Sequence, residues 1–127
     1  MNILICDDNT AFAMQLEEDI SEYFHNPNMN INVVTDHFDK IEGTYDVIFM
    51  DIELNDKNGI EIAKYHKDKH NCLVIFTSSH ENLVFNTFQV EPFQFIRKNH
   101  YDYDKNIVFK QLKEKLLTLY ILSLIHI

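Results

Sequence analysis

Apolar runs of strand length recur five times along this chain, at residues 3–6 (ILIC), 31–34 (INVV), 47–50 (VIFM), 73–76 (LVIF) and 93–96 (FQFI). The stretches between them are long enough for helices, and short apolar runs bounded by polar residues mark buried strands. Few architectures accommodate that alternation. It implies right-handed crossovers, a parallel sheet covered on both faces, and a ligand crevice at the carboxyl ends of the strands. The class is therefore α/β, and 127 residues suffice for one domain with a real hydrophobic core.

The connecting segments carry helix signals of unequal strength. Asn9 caps a first helix that places Ala13, Leu16, Ile20 and Phe24 on one face and breaks at His25-Asn26-Pro27. The second crossover, 36–43, holds no more than a turn or two of helix. Asn58-Gly59 opens a third helix running to about His70, with Glu61 reaching back toward the cap and Ile60, Ile62, Ala63 and Tyr65 following. Ser78 to Glu81 also has capping-box spacing, and Val84 and Phe88 follow at helical spacing in a fourth helix that ends before Pro92. The fifth helix is expected to begin near Asp104 and bury Val108, Leu112, Leu116 and Leu119, leaving Lys105, Lys110, Lys113 and Lys115 in water.

Composition removes several function classes. A hydrophobic share of 46% with only two Gly and two Pro leaves little material for linkers or disorder. A net charge of -9 argues against binding to phosphate backbones or anionic lipid, which needs clustered Lys and Arg. Cys6 and Cys72 lie in apolar runs without metal-ligand spacing and read as buried, reduced thiols of a cytoplasmic protein. The opening MNILICDD reads as a first strand, since a signal peptide would not run straight into acidic residues. The apolar end, 116–127, is shorter than the roughly 20 residues that span a bilayer, so no membrane anchor is expected.

Four of the five strands finish in notable polar residues: the first in Asp7-Asp8, the third in Asp51, the fourth in Thr77-Ser78, the fifth in Arg97-Lys98. Sharing one rim of a parallel sheet, they would bring together three carboxylates, a hydroxyl and an ammonium. Crowded carboxylates raise one another's pKa unless a cation neutralises them, and an oxygen-only donor set suits Mg²⁺ rather than zinc. A carboxylate can attack phosphorus to give an acyl phosphate when a metal and a cationic side chain offset the charge. Asp51 is then the candidate nucleophile and Lys98 the cation. Taken singly, each residue has a plainer explanation: a helix-start pair, a polar strand end, a Ser cap, an edge-strand lysine. Phe85, Phe88, Phe93 and Phe95 read first as core and interface packing, and the seven His show no ligand spacing.

The segments ILICDDN, IFMDIELNDKNGIEIAK, VIFTSS and FQFIRK resemble the receiver domains of two-component response regulators, and the resemblance spans about residues 2–120. It implies a flavodoxin-like (βα)5 fold, a doubly wound five-stranded parallel sheet of order 2-1-3-4-5. It also implies that a sensor histidine kinase phosphorylates Asp51, that Asp8 and Asp51 bind Mg²⁺ directly, that Asp7 acts through water and that Glu53 contributes its backbone carbonyl. Thr77 would hydrogen-bond a phosphoryl oxygen, Lys98 would pair with another, and Phe95 would be the switch aromatic. Such a domain is a signalling unit that catalyses at most its own phosphoryl transfer and slow dephosphorylation. ICDDN, DIELND and VEPFQF are closest to receivers that precede LytTR-type DNA-binding domains, which implies a role in transcription regulation. DNA would be reached only through an output domain that this chain lacks, and a homodimer would use the face of the fourth helix, fifth strand and fifth helix. Residues 1–120 form the expected receiver unit, with 121–127 the start of a linker or a non-native tail. Two departures stand out: Asn99 follows Lys98, and Asn55 follows the phosphoacceptor loop, where the family often has Pro.

Two other functions use similar parts. A haloacid-dehalogenase-type phosphatase also combines Mg²⁺ with an aspartyl nucleophile but requires DxDx[TV], whereas Asp51 begins Asp-Ile-Glu-Leu-Asn. A flavodoxin-like flavin binder needs a Ser/Thr/Gly-rich phosphate loop after the first strand, where Asp7-Asp8 would repel the phosphate.

Overall fold

Alternating apolar positions on the central strands divide the interior into two cores, one on each face of the sheet. The computed structural model describes residues 1–125. Strands β1 (Asn2–Cys6), β2 (Asn30–Val34), β3 (Val47–Asp51), β6 (Leu73–Ser78) and β7 (Gln94–Arg97) form one sheet of order β2-β1-β3-β6-β7. All neighbouring pairs are parallel. This is the 2-1-3-4-5 order expected of the five main strands. A two-stranded antiparallel hairpin, β4 (Glu53–Leu54) with β5 (Lys57–Asn58), follows β3.

Ile3, Ile5, Val47, Phe49, Ile75 and Ile96 pack under helices α1 (Thr10–Phe24) and α3 (Tyr101–Ile125), which bring Leu16, Ile20, Val108 and Leu112. On the opposite face Leu4, Ile48, Met50, Val74 and Phe76 meet Ile60 and Ala63 of α2 (Gly59–Lys69) and Val90. Side chains buried this completely each stabilise the fold by about 1.5–3 kcal/mol relative to exposure.

Local chemistry starts and stops the helices. The Asn9 side chain accepts the N–H of Phe12 at 3.1 Å, and α1 ends at His25, whose φ of 47° is left-handed. Asn58 caps α2 by accepting the N–H of Ile60 at 2.9 Å; Glu61 does not complete the capping box. Tyr65 faces water and His66 is buried. Burial and the charge of Lys69 pull the His66 pKa below its ordinary value, favouring neutral imidazole. The second crossover is abbreviated as expected, to a 3-10 turn at Phe38–Lys40.

The expected fourth α-helix is a 3-10 segment, Glu81–Val90. Ser78 still belongs to β6, where its hydroxyl accepts the N–H of His80 at 2.9 Å, and the residue in the cap position before Glu81 is His80, whose side chain makes no cap bond. In a 3-10 turn residues three apart eclipse. Thr87 and Val90 therefore face inward while Phe85 and Phe88 share the outer side, 73% and 59% exposed. The α-helical pairing of Val84 with Phe88 does not form.

The last helix begins at Tyr101, earlier than Asp104, because Asp104 is tied back to the end of β7 by Arg97. Lys105, expected in water, pairs with Asp19 of α1 at 3.2 Å. Leu116 is half-buried, but Leu119 is 43% exposed, since α3 outruns the sheet beneath it. Of the segment 121–127, residues through Ile125 continue α3, and 126–127 lie outside the described residues. Among the described residues no helix is long and apolar enough to cross a membrane.

Candidate functional site

Parallel register carries the strand-end residues to one rim. Asp51 ends β3 directly opposite Thr77 of β6, and Ser78 pairs with Arg97 of β7, so Lys98 starts one residue beyond the sheet. Asp7 and Asp8 follow β1 on the other side of β3. Asp7, Asp51 and Thr77 are buried, and Asp8 is half-buried at the mouth. Carboxylate oxygens of Asp7, Asp8 and Asp51 all lie within 4.8 Å of one another.

Each carboxylate is held by backbone as well as by its strand. Asp7 Oδ1 accepts the N–H of Asn9 at 2.8 Å, Asp8 Oδ2 that of Asn55 at 3.1 Å, and Asp51 Oδ1 that of Glu53 at 3.2 Å. Asn55 reaches Asp8 from a left-handed turn, φ 50°, at the tip of the β4–β5 hairpin. Gly59 closes the hairpin against β3: a Cβ there would stand 1.9 Å from the Asp51 carbonyl oxygen, so only glycine fits.

Lys98 enters from the far strand. Its ammonium lies 2.8 Å from Asp7 Oδ2 and donates to Asp51 Oδ2 at 3.2 Å, with only 14% of the side chain exposed. The Lys98–Asn99 bond is trans, as are all peptide bonds of the described residues. Burial drives the Asp51 carboxyl well above the ordinary carboxylate range; Asp7 pushes it further, and Lys98 pulls it partly back. Burial works against the Lys98 charge, but Asp7 and Asp51 outweigh it and hold the ammonium above the usual lysine value.

The residues present fit a hard divalent cation. Asp7 Oδ2 is buried, faces the ammonium off the line of a hydrogen bond, and has no hydrogen-bond partner. A buried carboxylate oxygen that makes an ion pair but no hydrogen bond, beside two further carboxylates, is what such an ion would satisfy. Asp7, Asp8 and Asp51 supply the carboxylates.

Phe95 is half-buried on β7 beside Phe76, at a cavity of about 310 Å³ lined also by Val84, Ile107 and Val108. Three side chains near the rim make contacts that the sequence did not signal. His80 Nδ1 meets Glu53 Oε1 at 2.5 Å across the mouth. Arg97 clamps Asp104 at 2.8 Å and Glu81 at 3.2 Å, joining the 3-10 segment to α3. Phe12 lies against Lys98. These contacts link residues from different elements, which spacing within one element does not register. Cys6 is buried, its thiol pushed up to about 12 by burial and by Asp7, and Cys72 is likewise buried and unpaired.

Among known proteins, the response regulator receiver domain matches residues 3–105. The Transcriptional regulatory protein LytR of Staphylococcus aureus is 32% identical over 101 residues, covering 77% of this chain and 41% of that protein. The Sensory transduction protein LytR of Staphylococcus epidermidis is 30% identical over 110 residues, with 77% of this chain and 40% of that protein covered. The chain spans about two-fifths of the length of these two relatives. Among solved structures, the signal receiver domain of a DNA binding response regulator from Colwellia psychrerythraea superposes with TM-score 0.73 at 22% identity, covering 90% of this chain and 98% of that one. The response regulator domain of Thermotoga maritima CheB gives 0.70 at 24% identity, covering 90% and 94%. These two likenesses bear on the fold alone.

Proposed function

The chain belongs to the response regulator receiver domain family of two-component signalling, and on that premise we propose that Asp51 is its phosphoacceptor, charged by a sensor histidine kinase. The observation that carries this is the buried Asp51 carboxylate facing Lys98 within 4.8 Å of two further carboxylates. An Asp51 carboxylate oxygen attacks the phosphorus of a kinase phosphohistidine. The O–P bond forms as the P–N bond breaks, and the histidine nitrogen keeps the electron pair and takes a proton from water.

Mg²⁺ bound by Asp8, Asp51 and the Glu53 carbonyl, with Asp7 through water, would offset charge on the transferring group. The chain's own residues do the rest. Lys98 pairs with a phosphoryl oxygen, offering it the positive charge that Asp7 and Asp51 balance in the unphosphorylated site. Thr77, beside Asp51 in the sheet, donates its hydroxyl to another oxygen and draws the following loop inward. Movement of that loop frees room for Phe95 to turn toward the adjoining cavity, so the surface of Glu81–Val90, β7 and α3 changes. The unit is a switch whose only catalysis is its own phosphoryl transfer and slow dephosphorylation.

The relatives support a setting for it. Residues 1–120 serve as the receiver unit. The changing surface is a candidate homodimer face, and DNA is reached through a separate output domain of the kind that transcriptional regulators carry. The protein works in the cytoplasm, off the membrane. Incubation with acetyl phosphate and Mg²⁺, followed by intact mass, should give one phosphorylated species that Asp51→Asn abolishes. A species that persists in Asp51→Asn, or none in the unaltered chain, removes the assignment.

A further inference from the structure

Lys98 has a third partner besides the two carboxylates. Its ammonium sits 4.6 Å from the ring centroid of Phe12, within range of cation–π attraction. Phe12 lies in the first turn of α1, and its own N–H is the group that Asn9 caps, so the helix start also fixes the ring. Tyr101 meets the same ring edge-on, with centroids 5.2 Å apart at 70°. The Tyr101 hydroxyl donates to Asp19 at 2.6 Å, and Asp19 accepts from Lys105 at 3.2 Å. Phe12 is thus braced between the ammonium and the first turn of α3.

We propose that Phe12 is a positioning residue for Lys98, its ring holding the ammonium at Asp51 for the incoming phosphoryl group. This rests on Asp51 being the phosphoacceptor. A lysine stem is flexible, and its charge is drawn to Asp7 at 2.8 Å more closely than to Asp51 at 3.2 Å. Carboxylates attract an ammonium from any direction, whereas an aromatic ring restricts the approach. The need is greatest once Asp51 becomes an acyl phosphate, because its own carboxylate charge is lost and the ammonium must shift to a phosphoryl oxygen. The ring itself is unaltered by that conversion and keeps the stem in place.

Phosphorylation by acetyl phosphate with Mg²⁺ is followed in the unaltered chain, Phe12→Leu and Phe12→Tyr. Phe12→Leu keeps an apolar side chain without the ring and should react roughly threefold to tenfold more slowly, with Phe12→Tyr within about twofold of the unaltered chain. Proton NMR of the metal-free protein supplies a readout that a merely structural role would not move. The Lys98 ε-methylene should show an upfield ring-current shift in the unaltered chain and in Phe12→Tyr that Phe12→Leu loses. An unshifted Lys98 in the unaltered chain overturns the proposal even if the leucine variant does not fold. So does an equal rate in Phe12→Leu, or a slow rate that tyrosine fails to restore. Absence of phosphorylation in the unaltered chain instead removes the phosphoacceptor assignment on which the proposal stands.

Discussion

Asp104 holds two elements together through one carboxylate, accepting from the Arg97 backbone N–H at 2.9 Å and from two guanidinium nitrogens at 2.8 Å each. Those bonds keep its pKa below the usual carboxylate value. A lowered folded-state pKa means stability that is fully present above the unfolded value of 3.8 and is lost as pH falls through the folded one. Asp104→Asn should therefore lower Tm on the order of 5 °C at pH 7, with the gap to the unaltered chain closing below about pH 4. A gap that stays constant in thermal melts down to pH 2.5 would count against the pair. At this scale the sequence was most informative where a residue ends a strand. Asp7, Asp8, Asp51, Thr77 and Lys98 could be named because strand ends share a rim whatever the loops do. Phe12, Glu53 with His80, and Arg97 with Asp104 could not, because their partners lie on elements whose relative placement the sequence leaves open.

Segment Glu81–Val90 is the element whose character least follows from its residues. Capping-box spacing and an apolar pattern pointed to an α-helix, but Ser78 remained in β6 and Glu81 was drawn to Arg97. The segment is anchored at its far end by Lys67 of α2, whose ammonium donates to the carbonyls of Val90 at 2.8 Å and Glu91 at 2.6 Å. Glu91 itself is left-handed, φ 53°, ahead of Pro92, a conformation that residues before proline disfavour. Lys67→Met should cost about 1 kcal/mol and speed amide exchange across residues 83–91 while leaving α1 unchanged. Unaltered exchange there would show that the carbonyls need no such anchor. Strands and the first helix were legible because burial on a central sheet enforces an apolar run and Asn9 caps unambiguously. A 3-10 turn differs from an α-helix by fractions of a residue per turn, a distinction set by tertiary contacts.

Across the whole molecule, a net charge of -9 coincides with three carboxylates gathered at one rim. A cation that binds the folded chain and not the unfolded one stabilises it, by about 2.7 kcal/mol at a hundred times Kd. Mg²⁺ should raise Tm in a saturable way, EDTA should reverse the rise, and Asp8→Asn should remove most of it. An equal rise from the same ionic strength of NaCl would reduce the effect to screening. The parallel sheet was readable at this scale, since five apolar runs joined by crossovers permit little else, whereas the β4–β5 hairpin was not. The contact of Gly59 with the Asp51 carbonyl was not, because an absent side chain leaves no mark in a hydrophobic pattern. In hereditary terms the Asp51 corner of the rim depends on two codons: one encodes the carboxylate, and the other encodes nothing more than room for the main chain that carries it.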